Sequence, residues 1–411
     1  MTDAPTLPPD QPARALTPPV AATLFAAIAL MVVGQSFLFT ILPPIGRQIG
    51  LAEYQIGLVM SVHGLFMLFT GPTAGALSET WGRRRVLVIG SALYAVSILM
   101  FGLVIEAALQ GLFAAVTVMV LLVASRAVFA MGAGAVMPGA MALAADLSAR
   151  ENRLKAMSLL AAATSFGSII GPATAAVFTG IGLAAPFYVI AAVALAGAVL
   201  SRLVLPETRI GRPTVARPKW RRLLAGGPGL IAIGSLLYMC GCFGIFSIIG
   251  FHVQDKFQLA SAPAAQWMGL GLMMAALSNV AAQGFIIRQI KTSPMRLLIV
   301  GVPITILAMA VVAQSSTLPM FVLGMALNGL GQGFANPAFA TALSLSVGAG
   351  EQGRIAGVSA SMQALAFLFA PVSSAALYQT HSQAVFVVGS LLVFAALGPF
   401  VLSRRKSPPA N

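Results

Sequence analysis

Residues 75–85 read GALSETWGRRR. They lie between two stretches of helix length, 56–78 and 86–107, that are apolar almost throughout. Arg83, Arg84 and Arg85 follow one another without interruption, so this stretch belongs outside any hydrocarbon layer that the flanking segments enter. An excess of Lys and Arg in a short loop marks the cytoplasmic side of a membrane. Eleven residues therefore predict two membrane helices, a tight cytoplasmic connection between them, and the direction in which each helix runs.

The rest of the chain obeys the same rule. Of 411 residues, 58% are hydrophobic and 8% charged, with a mean hydropathy of +0.93. Soluble domains carry roughly 25% charged residues, so water is not the only solvent of this chain. A helical span needs about 20 mostly apolar residues. Twelve segments meet that need: 19–43, 56–78, 86–107, 113–145, 154–179, 183–204, 228–251, 265–287, 296–315, 318–346, 354–379 and 383–402. The expectation is an all-α integral membrane protein.

Charge follows these spans. With the N-terminus inside, every Lys and Arg except Arg47, Lys256 and Arg126 falls in a cytoplasmic segment or at a cytoplasmic helix end. Both termini are then cytoplasmic. A nucleic-acid partner would need one coherent basic face, which alternating loops do not supply despite the net charge of +14. Residues 1–18 are rich in Pro and lack a basic region followed by an apolar core, so they read as a disordered cytoplasmic tail rather than a signal peptide. Cys240 and Cys242 sit two apart on the seventh span and point to different sides of a helix. They read as packing residues. No metal motif appears, and no cofactor is expected.

Residues 207–226, ETRIGRPTVARPKWRRLLAG, form a basic linker between six spans and six spans. The predicted organisation is a tail at 1–18, a bundle at 19–206, the linker, a second bundle at 227–403 and a cytoplasmic tail at 404–411. The bundles repeat one another. FAMGAGAVMPGAMALA at 129–144 aligns with NGLGQGFANPAFATAL at 328–343, placing Gly132 on Gly331, Gly134 on Gly333 and Pro138 on Pro337. Pro172 falls on Pro371 and Phe187 on Phe386 at the same offset, and Glu151 and Glu351 open the fifth and eleventh spans. A sustained offset is a repeat, and it predicts two pseudo-symmetric six-helix bundles.

The GALSETWGRRR segment resembles the loop between the second and third helices of major facilitator superfamily transporters. Gly75, Gly82 and the arginines fit that pattern, Glu79 replaces its usual Asp, and Thr80 replaces a basic residue. The resemblance implies a cytoplasmic gate made by Glu79 and Arg83 with an acid at the inner end of the fourth span, here Asp146. A topology anchor is the plainer reading, above all for Arg84 and Arg85. The corresponding loop of the second half, RQIKTSPMR at 288–296, keeps positive charge without the acid or glycine. SFGSIIGPATAA at 165–176 is similar to the fifth-span motif of drug–proton antiporters. Gly167, Gly171 and Pro172 match it, and Ala175 and Ala176 replace its closing glycines. These three are expected to seal or hinge the outer side. LPETR at 205–209 is a further familiar ending for the sixth span. Parallel six-helix repeats of this kind hold a substrate at the midplane and work by alternating access.

Arg126 falls near the centre of the fourth span, where a cation costs on the order of 2.5–3.5 kcal/mol on insertion scales. It must meet a wet cavity or a polar partner. The segment resembles the fourth-span motif of proton-coupled facilitators, with Ala130 in place of a glycine, which implies a role in substrate binding or coupling. Gln35, Tyr238, Asn279, Asn328, Gln332, Asn336 and Gln363 are further polar residues within spans and candidates for a midplane site. Each can equally be satisfied by a neighbouring helix. Phe129, Phe243, Phe246, Met273 and Met274 are candidate apolar walls. None of the ten acids falls at mid-membrane, so His63, about 10 Å below the outer surface, is the candidate proton carrier. Glu106 and Asp255 are outer-side alternatives.

Together these readings predict a transporter of the bacterial inner membrane, acting as a monomer in the lipid bilayer. The favoured activity is proton-coupled export of small amphipathic organic compounds. A metabolite or siderophore permease, facilitative or importing, is the alternative, and a transporter-like receptor is a third reading.

Overall fold

The computed structural model describes residues 16–149, 151–180, 182–208, 226–286, 293–348 and 351–406. Among them every regular element is helical. The first half comprises α1 (Pro18–Gln48), α2 (Glu53–Trp81), α3 (Arg83–Leu109), α4 (Ala115–Leu147), α5 (Arg153–Phe178) and α6 (Ala185–Val204). The second comprises α7 (Gly227–Phe257), α8 (Ser261–Ala281), α9 (Pro294–Gln314), α10 (Leu318–Leu345), α11 (Gln352–Thr380), α12 (Ser382–Ala395) and α13 (Leu397–Lys406). A π-helical turn, Ala282–Ile286, prolongs α8. α12 and α13 form one span, Ser382–Ser403, interrupted at Ala396. Among the described residues ten helical segments are long and apolar enough to cross a membrane, and α2 and α8 complete a set of twelve.

Several helices run past the expected spans. α1 continues through Pro43 and Pro44 to Gln48, and α7 continues to Phe257. The intervals 44–55 and 252–264 between the expected spans shrink accordingly to a few residues at 49–52 and 258–260. Hydropathy ends where charge begins, whereas a helix ends where its backbone hydrogen bonds end. α1 starts on Pro18 and Pro19, whose missing N–H donors would be unsatisfied in a first turn anyway. Gly82 alone separates α2 from α3, and its φ of 97° is a conformation that a side chain would strain. Most of the linker 207–226, residues 1–15, the loop 287–292 and residues 407–411 lie outside the described residues.

The repeat in sequence is a repeat in packing. α1 packs on α5 as α7 packs on α11; α2 meets α4 as α8 meets α10; α3 meets α4 as α9 meets α10. The aligned glycines sit at these crossings. A Cβ on Gly132 would lie 2.7 Å from the Gly90 carbonyl, and one on Gly331 would lie 2.9 Å from the Gly301 carbonyl. Two further crossings join the halves: α2 with α11, and α5 with α8. There Gly57 rests on the carbonyl of Pro371 and Gly269 on that of Pro172, so the two matched prolines make matched contacts. Small residues let helices approach closely where lipid and protein are equally apolar.

Helices of alternating direction place Pro18, Arg83–Arg85 and Leu147 at one end of the bundle, called here the basic end. Arg47, Glu53, Glu106 and Asp255 lie at the opposite end.

Candidate functional site

A cavity of about 580 Å³ lies between the halves. α1 and α5 wall it on one side, and α7, α8 and α10 on the other, with Phe367 of α11. It begins near the midplane, since Gln35 is about 26 Å along α1 from Pro18 at 1.5 Å per residue. From there it extends toward the basic end as far as Ala161 and Gln283. Phe39, Phe243, Phe246 and Phe367 supply flat apolar surface, and the rings of Phe243 and Phe367 stack at 4.0 Å. The polar lining consists of hydroxyls and amides, and among the described residues no lining residue is charged.

Of the candidates read from sequence, Gln35, Asn279 and Gln332 stand in this wall with Phe243 and Phe246. Asn328 is buried and accepts a hydrogen bond from Gln332 Nε2, one turn away. Asn279 likewise accepts from Gln283 Nε2 at 2.7 Å. Tyr238 lies elsewhere: its hydroxyl shares a 2.9 Å hydrogen bond with Thr305, and its ring tilts against Phe339. Asn336 and Gln363 are half-buried and outside the lining. Met273 and Met274 are likewise outside the lining, while their helix neighbours Leu272 and Ala275 belong to it. Polarity in a span identified these residues, but the rotation of each helix about its axis decides which of them a cavity receives. Ser36, Thr164, Ser165 and Ser168 line it and escaped the sequence reading. Hydroxyls satisfy themselves on their own helix, as Ser36 does by donating to the Val32 carbonyl at 2.7 Å, and so give no signal of polarity out of place.

Arg126 and His63 are placed behind the wall rather than in it. Arg126 is only 2% exposed. Its Nη2 donates to Gln35 Oε1 at 3.1 Å, and its guanidinium lies 4.5 Å over the Phe129 ring. Its polar partner is therefore an amide, supplemented by the negative face of an aromatic ring. Nη1 has no hydrogen-bond partner, nor has Gln35 Nε2. His63 sits edge-on between Phe129 and Phe367, 5.5 Å from each, and its Nδ1 is also unpartnered. Phe129 is thus no cavity wall. It is the ring that Arg126 and His63 share.

On α5, Gly167 and Gly171 fit against α1. A Cβ on Gly167 would lie 2.6 Å from the Ala29 carbonyl, and one on Gly171 would lie 2.5 Å from the Val33 carbonyl. Pro172 lines the cavity and turns its carbonyl toward Gly269 of the other half. The three motif residues thus hold α5 between α1 and α8.

The Major Facilitator Superfamily profile matches residues 24–371, and matches again over 291–411. The chain belongs to the Major Facilitator Superfamily. It is a membrane transporter rather than an enzyme. Among relatives of this facilitator, Multidrug resistance protein 2 of Bacillus subtilis is 23% identical over 402 residues, spanning 94% of this chain and 96% of that one. Quinolone resistance protein NorA of Staphylococcus aureus is 25% identical over 186 residues, 45% of each chain. A bacterial homologue of the human lysosomal transporter Spinster, solved in an inward-facing and unoccupied conformation, superposes with a TM-score of 0.73 at 15% identity, covering 96% of this chain and 100% of that one. The human organic anion transporter MFSD10 superposes with a TM-score of 0.65 at 20% identity, covering 94% and 99%.

In this facilitator the two ends differ in what their ion pairs join. At the basic end Arg83 Nε lies 3.0 Å from Asp146 Oδ2, and Arg83 Nη1 donates to the Ala142 carbonyl at 2.7 Å. Glu79 does not join this pair and makes no ion pair among the described residues. Glu207, just past α6, is the acid under the other arginines: its Oε2 is 3.4 Å from Arg84 Nε and 3.9 Å from Arg85 Nε. Its Oε1 accepts from the Arg84 backbone N–H at 3.1 Å. The side chain of Gly75 lies outside the described residues.

At the opposite end Arg47 of α1 bridges Glu53 of α2 at 2.6 Å and Asp255 of α7 at 2.5 Å. Tyr378 of α11 donates to Asp255 at 2.8 Å, and Gln379 donates to Glu53 at 2.9 Å. Burial opposes charge on Glu53, but its own backbone N–H, Gln379 and Arg47 outweigh that and hold its carboxyl below the usual range. Burial likewise opposes charge on Arg47, and the two carboxylates more than restore it. Glu106, at the same end, accepts from the Tyr188 hydroxyl. The sequence set Arg47, with Lys256, apart from the cytoplasmic cations. Its partner 208 residues away carried no local signal.

Proposed function

We propose that this facilitator exports small amphipathic organic compounds across the bacterial inner membrane by alternating access, working as a monomer with both termini in the cytoplasm. The observation that carries this reading is the cavity between the halves, walled by aromatic rings, hydroxyls and amides and extending from the midplane toward the basic end. Adaptable apolar walls with few fixed polar groups suit varied organic ligands. The full-length relative named as a multidrug resistance protein supports the same substrate class. The basic end is the cytoplasmic one under the positive-inside rule. Arg83 and Asp146 then belong to the cytoplasmic gate, and the Arg47 cluster closes the outer end.

Export against a gradient is driven by protons in this reading. His63 is the carrier best placed for it, buried beside Phe367 with Nδ1 unpartnered. The test is flux of a fluorescent amphipathic dye in sealed proteoliposomes with and without a pH gradient. Uptake that follows the gradient, and loses that dependence in His63→Gln while downhill flux persists, is the expected result. Dye movement that ignores the gradient in the parent protein would favour a facilitative permease, a reading supported by the lack of any acid in the cavity wall.

A further inference from the structure

The cavity carries a polarity that its uncharged lining conceals. Arginine has donors only. The Gln35 atom that meets Arg126 must therefore be Oε1, and the amide orientation is fixed by chemistry rather than by choice. Gln35 Nε2 and Arg126 Nη1 are consequently two donors left without acceptors on one spot of the N-terminal half. Arg126 is itself 98% buried, and among the described residues no acid lines the cavity beside it. A buried cation normally meets a carboxylate, because an unpaired charge in a low-dielectric setting is costly. Here a neutral amide oxygen occupies the place that a carboxylate oxygen would take.

Resting on the export reading, we infer that the site takes compact aromatic carboxylates, the acid displacing the Gln35 carbonyl from the Arg126 guanidinium. The planar guanidinium fork accepts a carboxylate in two parallel hydrogen bonds, satisfying Nη1 as well as Nη2. Freed from Arg126, the Gln35 amide donates through Nε2 to the same carboxylate. The aromatic body of the ligand lies among Phe39, Phe243, Phe246 and Phe367, and a cavity of about 580 Å³ admits a ligand of that size. An organic cation in the same position would face Arg126 with no carboxylate in the lining to offset the repulsion.

The matched probes are 1-naphthoate, 1-naphthamide and 1-naphthylmethylammonium, which share a ring system and differ in charge. Binding to the purified full chain at neutral pH is measured by scintillation proximity, and movement by flux in proteoliposomes. The parent protein is expected to prefer the naphthoate to either analogue by about tenfold or more. Gln35→Glu gives Arg126 a permanent carboxylate. That variant should fold, since it pairs a buried charge, and should lose the naphthoate preference while retaining the amide. Gln35→Ala, which removes the amide but adds no acid, should weaken naphthoate binding less than Gln35→Glu does. Equal or tighter binding of the ammonium probe by the parent protein overturns the inference and leaves the transport reading intact. Unchanged naphthoate affinity in Gln35→Glu overturns it as well. If a monodisperse parent protein that still moves the amphipathic dye neither binds nor moves any of the three, the inference falls and the export reading stands; if it moves no dye either, both fall.

Discussion

The two ends of the bundle use their charges differently. Arg83–Asp146 and the Arg84, Arg85 and Glu207 group each stay within the first half. The Arg47 cluster ties α1 and α2 to α7 and α11, and so spans both halves. Ion pairs inside one rigid body do not oppose its rotation, whereas pairs between bodies must break before the bodies separate. This conformer is therefore latched at the opposite end, while among the described residues no ion pair joins the halves at the basic end, toward which the cavity extends. The lesson is that a charged motif's role depends on which body its partner belongs to, not on the strength of the pair.

Breaking the latch should have the largest effect. Arg47→Ala removes the one cation between Glu53 and Asp255 and leaves two carboxylates facing each other across the halves. The opening equilibrium at that end should shift by about tenfold or more, within the usual range for coupling between conformations. Spin labels on the 49–52 and 258–260 turns would report it as a longer distance distribution. An unchanged distribution would mean that the proline–glycine crossings of α2 with α11 and α5 with α8, rather than the ion pairs, hold this end shut.

Next in size is the basic end. Asp146→Asn should slow flux several-fold at normal expression, because Arg83 loses its ion-pair partner. Glu79→Gln should do less, as Glu79 makes no ion pair among the described residues. Equal slowing by both variants would show that Glu79 engages in the alternative conformer, and parental rates in both would reduce the loop to an anchor of topology.

A smaller effect is expected from pH. Glu53 has its folded-state value depressed, so its contribution to the latch is complete above the ordinary carboxylate value and fades as pH falls through the depressed one. Acid at that end should therefore loosen the latch, with Arg47, Gln379, Asp255 and Tyr378 as the groups around the titrating site. Glu53→Gln should flatten this dependence in the same spin-label measurement. A dependence that survives Glu53→Gln would place the titration elsewhere in the cluster.

Smallest of all is Glu207→Gln. The acid is 28% exposed and its arginine partners more so. Partly exposed pairs of this kind contribute about 0.2–1 kcal/mol. The variant should lower the melting temperature slightly and leave flux unchanged. A large loss of flux would show that α6 and the arginine loop move relative to each other in the cycle.

The sequence by itself determined the twelve spans and the six-plus-six repeat. These depend on local quantities: the cost of charge in hydrocarbon, the length of an apolar run, and a sustained offset of Gly and Pro. It also singled out Arg126 as a residue needing a partner. Only the tertiary structure decided that the partner is the Gln35 carbonyl, that His63 and Arg126 share Phe129 behind the cavity wall, that Tyr238 bonds Thr305, and that Arg47 reaches Asp255 in the other half. The physical reason is that these helices are apolar nearly all round. In a soluble protein the polar face of a helix announces its rotation. Where lipid and protein interior are equally apolar, hydropathy fixes how deep a residue lies and leaves open which way it points, and that direction is set by packing between helices.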